Sequence, residues 1–572
     1  MSRGVALGRS VFCCALIAAP MSAFAQSATP STVTPQSLRP ERSDNGFRVD
    51  IPEAGGLRPP AGSENLKVTL GSVVLEGGFP EVAAESEAAL NQLRGQAVTL
   101  AKIYEVASQI EAAHARAGFV LARVVIPPQD LQDGGTLRIV VIDGFIEQVD
   151  VAGVPDRVRS VVARRLADLQ GRKHLRLGDI EMALLIANDV PGLTLRSTLS
   201  RGSQPGGTKL VVEGRHKLVS GSIGGDNALA SSLGTWSVNA QLSLNSAFGQ
   251  GEQIYGFVSS GYDVSKLFAS DLRERVLGGG GVLPVGDGRL TLNPEVTFTR
   301  TQPTPVPGAP ATVGDLHRLA FRAGYTLEKT RSRALLLSGS VEQLEETNKA
   351  PLFALDLSRD RYMVARLGIS FDRYDIDRGS WGIAAQVSQG LGDLGGRSKA
   401  DVIASGVGYS RLGADNNFTK LTAQGHAVLP LAAGWDIAAL AKAQTGFGKA
   451  VFRAEQFQLE GNDGVSSYVG GATAVDDGAA LRLELRHRLI VADGSLGFGL
   501  SPYVFVAGGA GSINVPTILE PSSLNVGAAG VGARVALDRI GLYFSVEYAY
   551  GISNFAPLDK HDRVNASATL RF

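Results

Sequence analysis

The sequence predicts two small α+β modules in tandem, followed by an all-β transmembrane barrel of about 16 antiparallel strands. Three observations predict this fold. Helical periodicity is concentrated in residues 66–214, where one order of strands and helices occurs twice. From residue 215 onward, short segments alternate apolar and polar side chains. The connections between those segments alternate between tight turns and long loops, which is typical of membrane-spanning β-barrels.

The composition excludes several other classes. The chain has 572 residues, with 70 glycines and 55 basic against 55 acidic side chains. This balanced charge argues against a nucleic-acid binder, which normally carries a basic excess. The hydrophobic content of 44% argues against disorder. No run of about eighteen uncharged apolar residues occurs, so no membrane-spanning helix is expected.

The N-terminal residues 1–25 have the pattern of a secretory signal peptide. A basic start is followed by the apolar stretch 11–19 and by a small-residue cleavage site that ends at Ala25. The two cysteines of the sequence, Cys13 and Cys14, lie inside this segment. The mature chain is therefore expected to lack cysteine, which excludes a disulfide scaffold and a cysteine–zinc site.

Residues 26–65 are rich in proline, serine, threonine and glycine and lack apolar periodicity. Repeated prolines disfavour a sustained helix, so this stretch is predicted to be a linker.

Residues 66–143 and 144–214 are predicted to form the two modules. In each, an opening strand precedes helical sequence, and two further strands follow. The first module is expected to contain a strand at 68–75, a helix at 100–117 and strands at 121–126 and 136–142; the second, a strand at 145–151, helices at 156–169 and 177–187 and strands at 193–200 and 208–213.

Residues 215–572 are predicted to form the barrel. At about 45 residues per hairpin, this length accommodates about 16 strands and leaves both ends on one side. In the segment 235–244, Trp236 and every second residue after it are apolar, so this face is expected to contact lipid. Tight turns are predicted at 286–288 and 538–539, and long loops at 301–315, 347–358, 391–416 and 507–524.

Four sequence stretches carry a family resemblance. Residues 117–130 (AGFVLARVVIPPQD) combine a glycine–aromatic step, a strand and Pro-Pro-Gln, and residues 245–252 (NSAFGQGE) have the pattern of a first barrel hairpin. Residues 457–461 and 477–486 match the flanks of a sixth extracellular loop. Together these stretches resemble the outer-membrane transporters of two-partner secretion, the haemolysin secretion/activation type within the POTRA-plus-barrel superfamily.

The resemblance implies an outer-membrane pore that recognises a secreted partner through periplasmic POTRA modules and translocates it to the cell surface. The partner would be an exoprotein with an N-terminal targeting domain, which pairs with module edges around 119–126 and 136–142 by β-augmentation. The expected partner-binding side chains are Phe119, Leu121, Arg123, Val125, Pro127, Pro128 and Gln129.

In this family, the sixth loop enters the lumen with a Val-Arg-Gly-aromatic tip, whose arginine pairs with an aspartate in a Phe-x-Asp-x-Gly stretch of the wall. The matching positions of this chain are Val465, Ser466, Ser467 and Tyr468 in the loop and Phe505, Ala507 and Gly509 in the wall. Because both charged partners are absent, no buried charge is left unpaired. The loop is therefore expected to enter the lumen through uncharged contacts around Tyr468. An alignment displaced by one segment is the alternative.

Many relatives also carry a helix that plugs the barrel before the first POTRA module. Residues 26–65 contain no helix-competent stretch, so no plug helix is expected here. The resemblance further implies a monomer that the barrel-assembly machinery inserts among outer-membrane lipid, and no nucleic-acid partner.

Catalysis, metal binding and cofactors are not expected. The seven histidines lack metal-ligand spacing, and the glycine run 278–281 lacks the Lys-Ser/Thr of a phosphate loop. Alternatives to secretion are an insertase of the same superfamily, a passive porin or receptor, and an outer-membrane esterase. The insertase generally has more POTRA modules, the porin needs none, and the esterase would need a serine–histidine pair that the sequence does not indicate.

Overall fold

The computed structural model describes residues 28–35, 49–50 and 57–572, apart from residues 262, 264–266, 268, 270, 306–308, 376–377, 491–496 and 559. The predicted signal peptide, residues 1–25, lies outside the described residues. Near the N-terminus, Pro30–Val33 forms one turn of helix (α1) and Val49–Asp50 forms a short strand (β1). The expectation of no helix within 26–65 is therefore wrong for one turn. Pro30 occupies its first position, where a missing N–H costs nothing.

The first module contains a three-stranded sheet and a separate two-stranded one. Its elements are β2 (Lys67–Thr69), β3 (Ser72–Glu76), α2 (Ala83–Leu90), β4 (Ala97–Thr99), α3 (Leu100–Arg116), β5 (Arg123–Val125) and β6 (Thr136–Ile142). β6 lies in the centre of the larger sheet, parallel to β3 and antiparallel to β5. The single strand predicted at 68–75 is interrupted at Gly71, because any side chain there would collide with the carbonyl of Gly134.

The second module repeats this arrangement more regularly. Its elements are β7 (Phe145–Gly153), α4 (Asp156–Leu166), α5 (Leu177–Asn188), β8 (Leu193–Arg201) and β9 (Gly207–His216). The sheet order is β1-β8-β9-β7, so the N-terminal strand β1 lies beside β8. Each module buries its own apolar core.

The barrel is closed and consists of sixteen antiparallel strands, which confirms the predicted fold class. The strands are β10 (Val219–Asp226), β11 (Ser237–Asn245), β12 (Gln253–Gly261), β13 (Glu274–Val285), β14 (Leu290–Thr301), β15 (Val313–Lys329), β16 (Arg333–Ala350), β17 (Leu355–Asp375), β18 (Gly379–Gly390), β19 (Thr419–Pro430), β20 (Trp435–Thr445), β23 (Asp477–His487) with its continuation β24 (Leu489–Ile490), β25 (Phe498–Ser512), β26 (Ser523–Leu537), β27 (Leu542–Ser553) and β28 (His561–Arg571). The labels β21 (Phe457–Gln458) and β22 (Ala474–Val475) belong to a small ribbon outside the wall.

The connections alternate in length as expected. Short turns such as 286–289 and 538–541 lie on the side that carries the modules, and loops such as 391–418 and 446–476 lie on the opposite side. The prediction of a long loop at 347–358 is wrong. β16 extends to Ala350 and β17 begins at Leu355, so only four residues connect them. Their paired backbones extend past the apolar band, where outward side chains need not be hydrophobic.

The wall alternates between a lipid-facing and an inward face. Trp236 and Leu242 are about half exposed on the outer surface, whereas Ser237 and Ser243 are buried. None of the helices among the described residues has the length and apolar content to cross a membrane.

The second module docks on the turns of the barrel. Lys329 Nζ lies 2.5 Å and 2.7 Å from the two carboxylate oxygens of Asp189. Arg331 Nε donates to Glu181 Oε1 at 2.7 Å, and Arg157 donates to the Ala247 carbonyl at 2.9 Å. These contacts fix the module at the mouth of the barrel.

Candidate functional site

The loop at residues 446–476, between β20 and β23, folds back into the lumen. Its tip residues Val465, Ser466, Ser467 and Tyr468 are at most 2% exposed. Val465 and Tyr468 share an apolar cluster with Phe505 of the wall. We call this loop the lumen loop.

The tip is hydrogen-bonded to three wall strands. The Ser466 hydroxyl donates to Glu547 on β27 and accepts from Arg482 Nη1 on β23 at 3.0 Å. Asn565 on β28 donates to the Ser466 carbonyl at 2.9 Å. Ser466 is thus the polar centre of the tip.

Arg482 organises the wall beneath this serine. It is 1% exposed, donates from Nε to Glu484 Oε1 at 2.8 Å and forms an ion pair with Glu547. Its guanidinium carbon lies 3.8 Å from the centre of the Phe505 ring, within cation–π distance. The charge of this arginine can be buried because two carboxylates and the face of an aromatic ring surround its guanidinium group.

Arg534 and Tyr503 complete this group, which we call the wall cluster: Arg482, Glu484, Tyr503, Phe505, Arg534 and Glu547. Arg534 donates two hydrogen bonds to Glu484, at 2.8 Å and 2.9 Å, and Tyr503 donates to Glu547 at 2.8 Å. Two arginines thus balance two glutamates. The wall cluster is therefore neutral overall, and each carboxylate has a cationic partner.

The predicted wall positions lie at this site, but one expectation about them is wrong. Phe505 carries the cation–π contact, Ala507 is paired in register with Arg482, and Gly509 leaves room for Leu459 of the lumen loop. Uncharged contacts alone do not hold the tip, because Ser466 binds a buried ion pair. The arginine absent from the loop has a counterpart on the wall, at Arg482. The alternation of 481–485, with arginine and glutamate on the inward side, was the available signal.

Two further anchors hold the lumen loop. Glu455 accepts from Arg366 at 2.6 Å and from Tyr362 at 2.9 Å, and Lys420 Nζ lies 2.7 Å away. Burial alone would raise the pKa of Glu455, but Arg366 and Lys420 outweigh it and hold this pKa below its ordinary value. The carboxylate therefore stays charged and fastens the start of the loop to β17 and β19.

The end of the loop is fastened to its neighbours at Asp476. This buried carboxylate accepts from Arg411 at 3.1 Å and from the backbone N–H groups of Val451 and Asn514, at 3.2 Å and 2.7 Å. Arg411 also pairs with Glu520 at 2.6 Å. Loops 391–418, 446–476 and 513–522 are thereby joined in one network.

Residues 28–35 also lie inside the barrel. The Ser31 hydroxyl donates to Glu346 at 3.2 Å, and the hydroxyls of Thr34 and Thr299 are 2.8 Å apart. Thr32 lies against Gly471 of the lumen loop. Part of the predicted linker is therefore a lumenal segment. Its bonds come from short polar side chains, so hydrophobic periodicity gave no sign of it.

The predicted partner-binding edge is only partly accessible. Phe119 and Leu121 are 1% and 3% exposed, because they pack in the module cores, so the expectation that they contact a partner is wrong. The strand predicted as a second edge, 136–142, is the central strand of its sheet. Val125 is exposed, Arg123 and Pro127 are half-buried and Pro128 is exposed. The accessible edge is thus β5 and the residues after it.

A side chain covers the backbone of this edge, and a second one extends the sheet beyond it. Glu111 of α3 accepts a hydrogen bond from the Val124 N–H at 2.8 Å. The Gln129 amide donates to the Arg138 carbonyl at 2.8 Å and accepts from the Arg138 N–H at 2.9 Å, as a neighbouring strand would. Gln129 therefore extends the sheet where β5 has ended.

Phe119 instead joins the two modules. Its ring lies 4.8 Å from Phe79 and 4.6 Å from His174 of the second module, and Arg176 lies above it. The Gly118 carbonyl accepts from the Leu177 N–H at 2.8 Å. The glycine–aromatic step is thus an inter-module joint.

Comparison with known families identifies the architecture. Residues 206–537 match the model of the haemolysin secretion/activation protein family ShlB/FhaC/HecB, and residues 68–144 match the ShlB-type POTRA domain. The first match spans more than half of the chain. The chain belongs to this family.

Two curated transporters are similar over part of their length. The outer membrane transporter CdiB of Escherichia coli is 28% identical over 221 residues, which cover 38% of this chain and 36% of CdiB. The heme/hemopexin transporter protein HuxB of Haemophilus influenzae is 24% identical over 195 residues, 33% of this chain and 34% of HuxB. The aligned part is thus about a third of each relative.

Solved structures share the fold over nearly the whole chain. CdiB from Escherichia coli superposes with a TM-score of 0.72 at 19% identity, covering 96% of this chain and 95% of that structure. CdiB from Acinetobacter baumannii superposes with a TM-score of 0.61 at 15% identity, covering 89% and 90%. With the family assignment, the barrel lies in the outer membrane and the POTRA modules lie in the periplasm.

In the part of the chain that the structure describes, no group of three or more histidine, aspartate or glutamate side chains is arranged to hold a metal ion.

Proposed function

We propose that this protein is a two-partner secretion transporter, which binds an exoprotein at its POTRA modules and passes it through the barrel. The observation that carries the proposal is a barrel whose lumen is occupied by its own lumen loop and by residues 28–35, with the second POTRA module docked at its periplasmic mouth. A passive porin has no use for either feature.

Recognition would take place at the β5 edge. An unfolded targeting segment adds a strand beside Arg123–Val125, with main-chain hydrogen bonds for affinity and the Val125 and Pro128 side chains for selection. One side-chain cap must first give way, that of Glu111 on the Val124 N–H. It is a hydrogen bond at a module surface, worth about 1 kcal/mol.

Opening would then require the lumen loop and residues 28–35 to leave their positions. Ser466 separates from the wall cluster, while the ion pairs of Arg482 with Glu484 and Glu547 stay within the wall. A relative whose loop itself carries the arginine would have to break a charge pair to open. We infer that a serine tip lowers the electrostatic cost of opening while the pore still closes by default.

The proposed partner is an exoprotein with an N-terminal targeting domain, and the transporter acts as a monomer after insertion by the barrel-assembly machinery. No catalytic step, nucleotide or cofactor is part of the proposal. Folding of the partner outside the cell supplies the driving force.

A cysteine cross-linking experiment tests the recognition step. The only cysteines of the sequence are Cys13 and Cys14, so Val125→Cys introduces a single reporter in β5 of the exported chain. Val74→Cys is the matched control, because Val74 is an exposed valine on the opposite edge strand β3. The full-length transporter is co-expressed with the exoprotein of a neighbouring gene, which carries single cysteines along its targeting domain.

The expected result is a disulfide-linked complex through Val125→Cys and none through Val74→Cys, while both variants retain secretion under reducing conditions. Equal cross-linking at both edges would contradict the assignment to β5. Secretion that survives deletion of residues 66–214, in a chain still shown to be inserted, would overturn the proposed function itself.

A further inference from the structure

The pairing between the first and last strands, β10 and β28, is the shortest in the barrel wall. Five residue positions are paired there, Ser222–Asp226 with residues 567–571. On either side of this seam, β10 pairs with β11 at eight positions and β28 pairs with β27 at ten. Main-chain hydrogen bonds between Gly221 and Phe572, at 3.1 Å and 3.0 Å, and from the Asn227 N–H to the Ala566 carbonyl, at 3.2 Å, continue this ladder at both ends, so the seam is closed over residues 221–227.

The outer surface of the seam is a groove with small residues as its floor. Gly225 of β10 faces Ala568 of β28 in register. The β11 wall of the groove is formed by Val238, the register partner of Gly225, and by Trp236. The β27 wall is formed by Phe544, the register partner of Ala568. Trp236, Phe544 and Val546 are 48%, 41% and 54% exposed on the outer face. The groove has a volume of about 450 Å³.

The groove contains no charged side chain, and its only polar ones are Ser237, Ser545 and Ser567. One end is closed by Ile223 and Leu570, which are paired in register and exposed to the outside. The other end, at Trp236, lies at the start of β11 on the extracellular side. The groove therefore opens toward the extracellular surface of the membrane and is continuous with the lipid-facing wall.

We propose that this groove binds one acyl chain of an outer-leaflet lipid along the β10–β28 seam. Water gains no hydrogen bonds in an apolar recess within hydrocarbon, and an empty recess would forfeit dispersion contacts on both walls. A single hydrocarbon chain matches the apolar lining, and the volume lies within the size range of ligand pockets. The bound chain packs against Trp236 and Phe544 and covers the small residues of the seam.

Tryptophan quenching by lipids brominated in the acyl chain tests this site. The sequence has three tryptophans, and Trp236, Trp381 and Trp435 all face outward. The double substitution Trp381→Phe/Trp435→Phe leaves Trp236 as the only reporter, and Trp236→Phe/Trp435→Phe leaves Trp381 as the matched control. Both full-length chains are placed in vesicles with rising fractions of brominated phosphatidylethanolamine or brominated lipid A.

At low bromolipid fractions, Trp236 is expected to be quenched several-fold more strongly than Trp381. Ala568→Phe, which fills the groove floor, is expected to abolish this excess, whereas Ala323→Phe on the outer face of strand β15, away from both reporters, is expected to preserve it. The lipid that gives the larger excess identifies the source of the chain. Equal quenching of both tryptophans, or an excess that survives Ala568→Phe, would overturn the site and leave the proposed transport function untouched.

Discussion

The lumen and the β5 edge are closed in different ways. In the lumen, buried ion pairs hold the lumen loop at Glu455 and at Asp476, and hydrogen bonds of Ser466 hold it to the ion-paired wall cluster around Arg482. At the β5 edge, one side-chain hydrogen bond, which Glu111 accepts from the Val124 N–H, covers the backbone. The first closure is a network of charges and the second is a single cap.

This difference separates recognition from opening. A partner segment can replace this cap by making an equivalent main-chain bond, at little net cost. It cannot replace the buried charges of the lumen, which must stay paired while the loop moves. The wall cluster meets this requirement because its arginines and glutamates pair with one another, and the loop contributes only Ser466.

The largest expected effect comes from Arg482→Ala. It leaves Glu484 with one cation fewer and Glu547 without its cationic partner, which costs about 3–5 kcal/mol when one member of a buried pair is removed. The free energy of barrel unfolding, measured with urea in lipid vesicles, should fall by that amount. Single-channel recording should show a larger open fraction, because Ser466 also loses its donor.

The matched variant is Arg482→Gln/Glu547→Gln, which removes both charges. Its unfolding free energy should lie closer to the wild type than that of Arg482→Ala. If the double variant were the less stable of the two, the ion pair would not be what holds this wall.

An intermediate effect is expected when the arginine is placed in the loop. Ser466→Arg brings a second guanidinium beside Arg482, whose Nη1 lies 3.0 Å from the Ser466 hydroxyl. Like-charge repulsion should displace the loop tip and raise the open fraction in planar bilayers. Ser466→Arg/Arg482→Ser moves the arginine from wall to loop and should restore most of the closure. Failure of this exchange would show that the strand position of Arg482 matters beyond its charge.

The smallest effect is expected at the module edge. Glu111→Ala removes the cap on the Val124 N–H, which water can replace, so the loss of stability should be about 1 kcal/mol. Binding of the targeting domain to the full-length transporter should be unchanged or stronger, as measured by calorimetry. Glu105→Ala, on the same helix and away from β5, is the control. Weaker binding by Glu111→Ala alone would mean that Glu111 contacts the partner.

The sequence predicted the fold because the barrel repeats one simple pattern. Apolar and polar side chains alternate along segments such as 235–244, and this alternation reflects the lipid on one side of the wall. Helix α2 was missed because Ala83–Leu90 carries little amphipathic contrast. The lengths of β16 and β17 were missed because both strands continue beyond the lipid, where the alternation no longer reports burial.

The site was predicted only where it matched family positions. Residues 465–468 could be placed in the lumen by their flanks, but the partners of Ser466 come from three distant strands. Glu547 and Asn565 look like ordinary inward polar residues in sequence, and their convergence on Ser466 depends on barrel closure. The lumenal position of Ser31 depends likewise on a contact with Glu346, across more than 300 residues.

The central claim is that the lumen loop must leave the wall for the partner to pass. A reversible lock between Leu459 and Gly509 tests it, because a Cβ added at Gly509 lies 3.3 Å from the Leu459 Cβ. This separation is close to the Cβ–Cβ distance of ~3.5–4.5 Å found in disulfides. Leu459→Cys/Gly509→Cys is co-expressed with the partner, and secretion is measured under oxidising and reducing conditions, with each single variant as control. Secretion should stop on oxidation of the double variant only and return on reduction; undiminished secretion through the oxidised, fully cross-linked transporter would contradict the account.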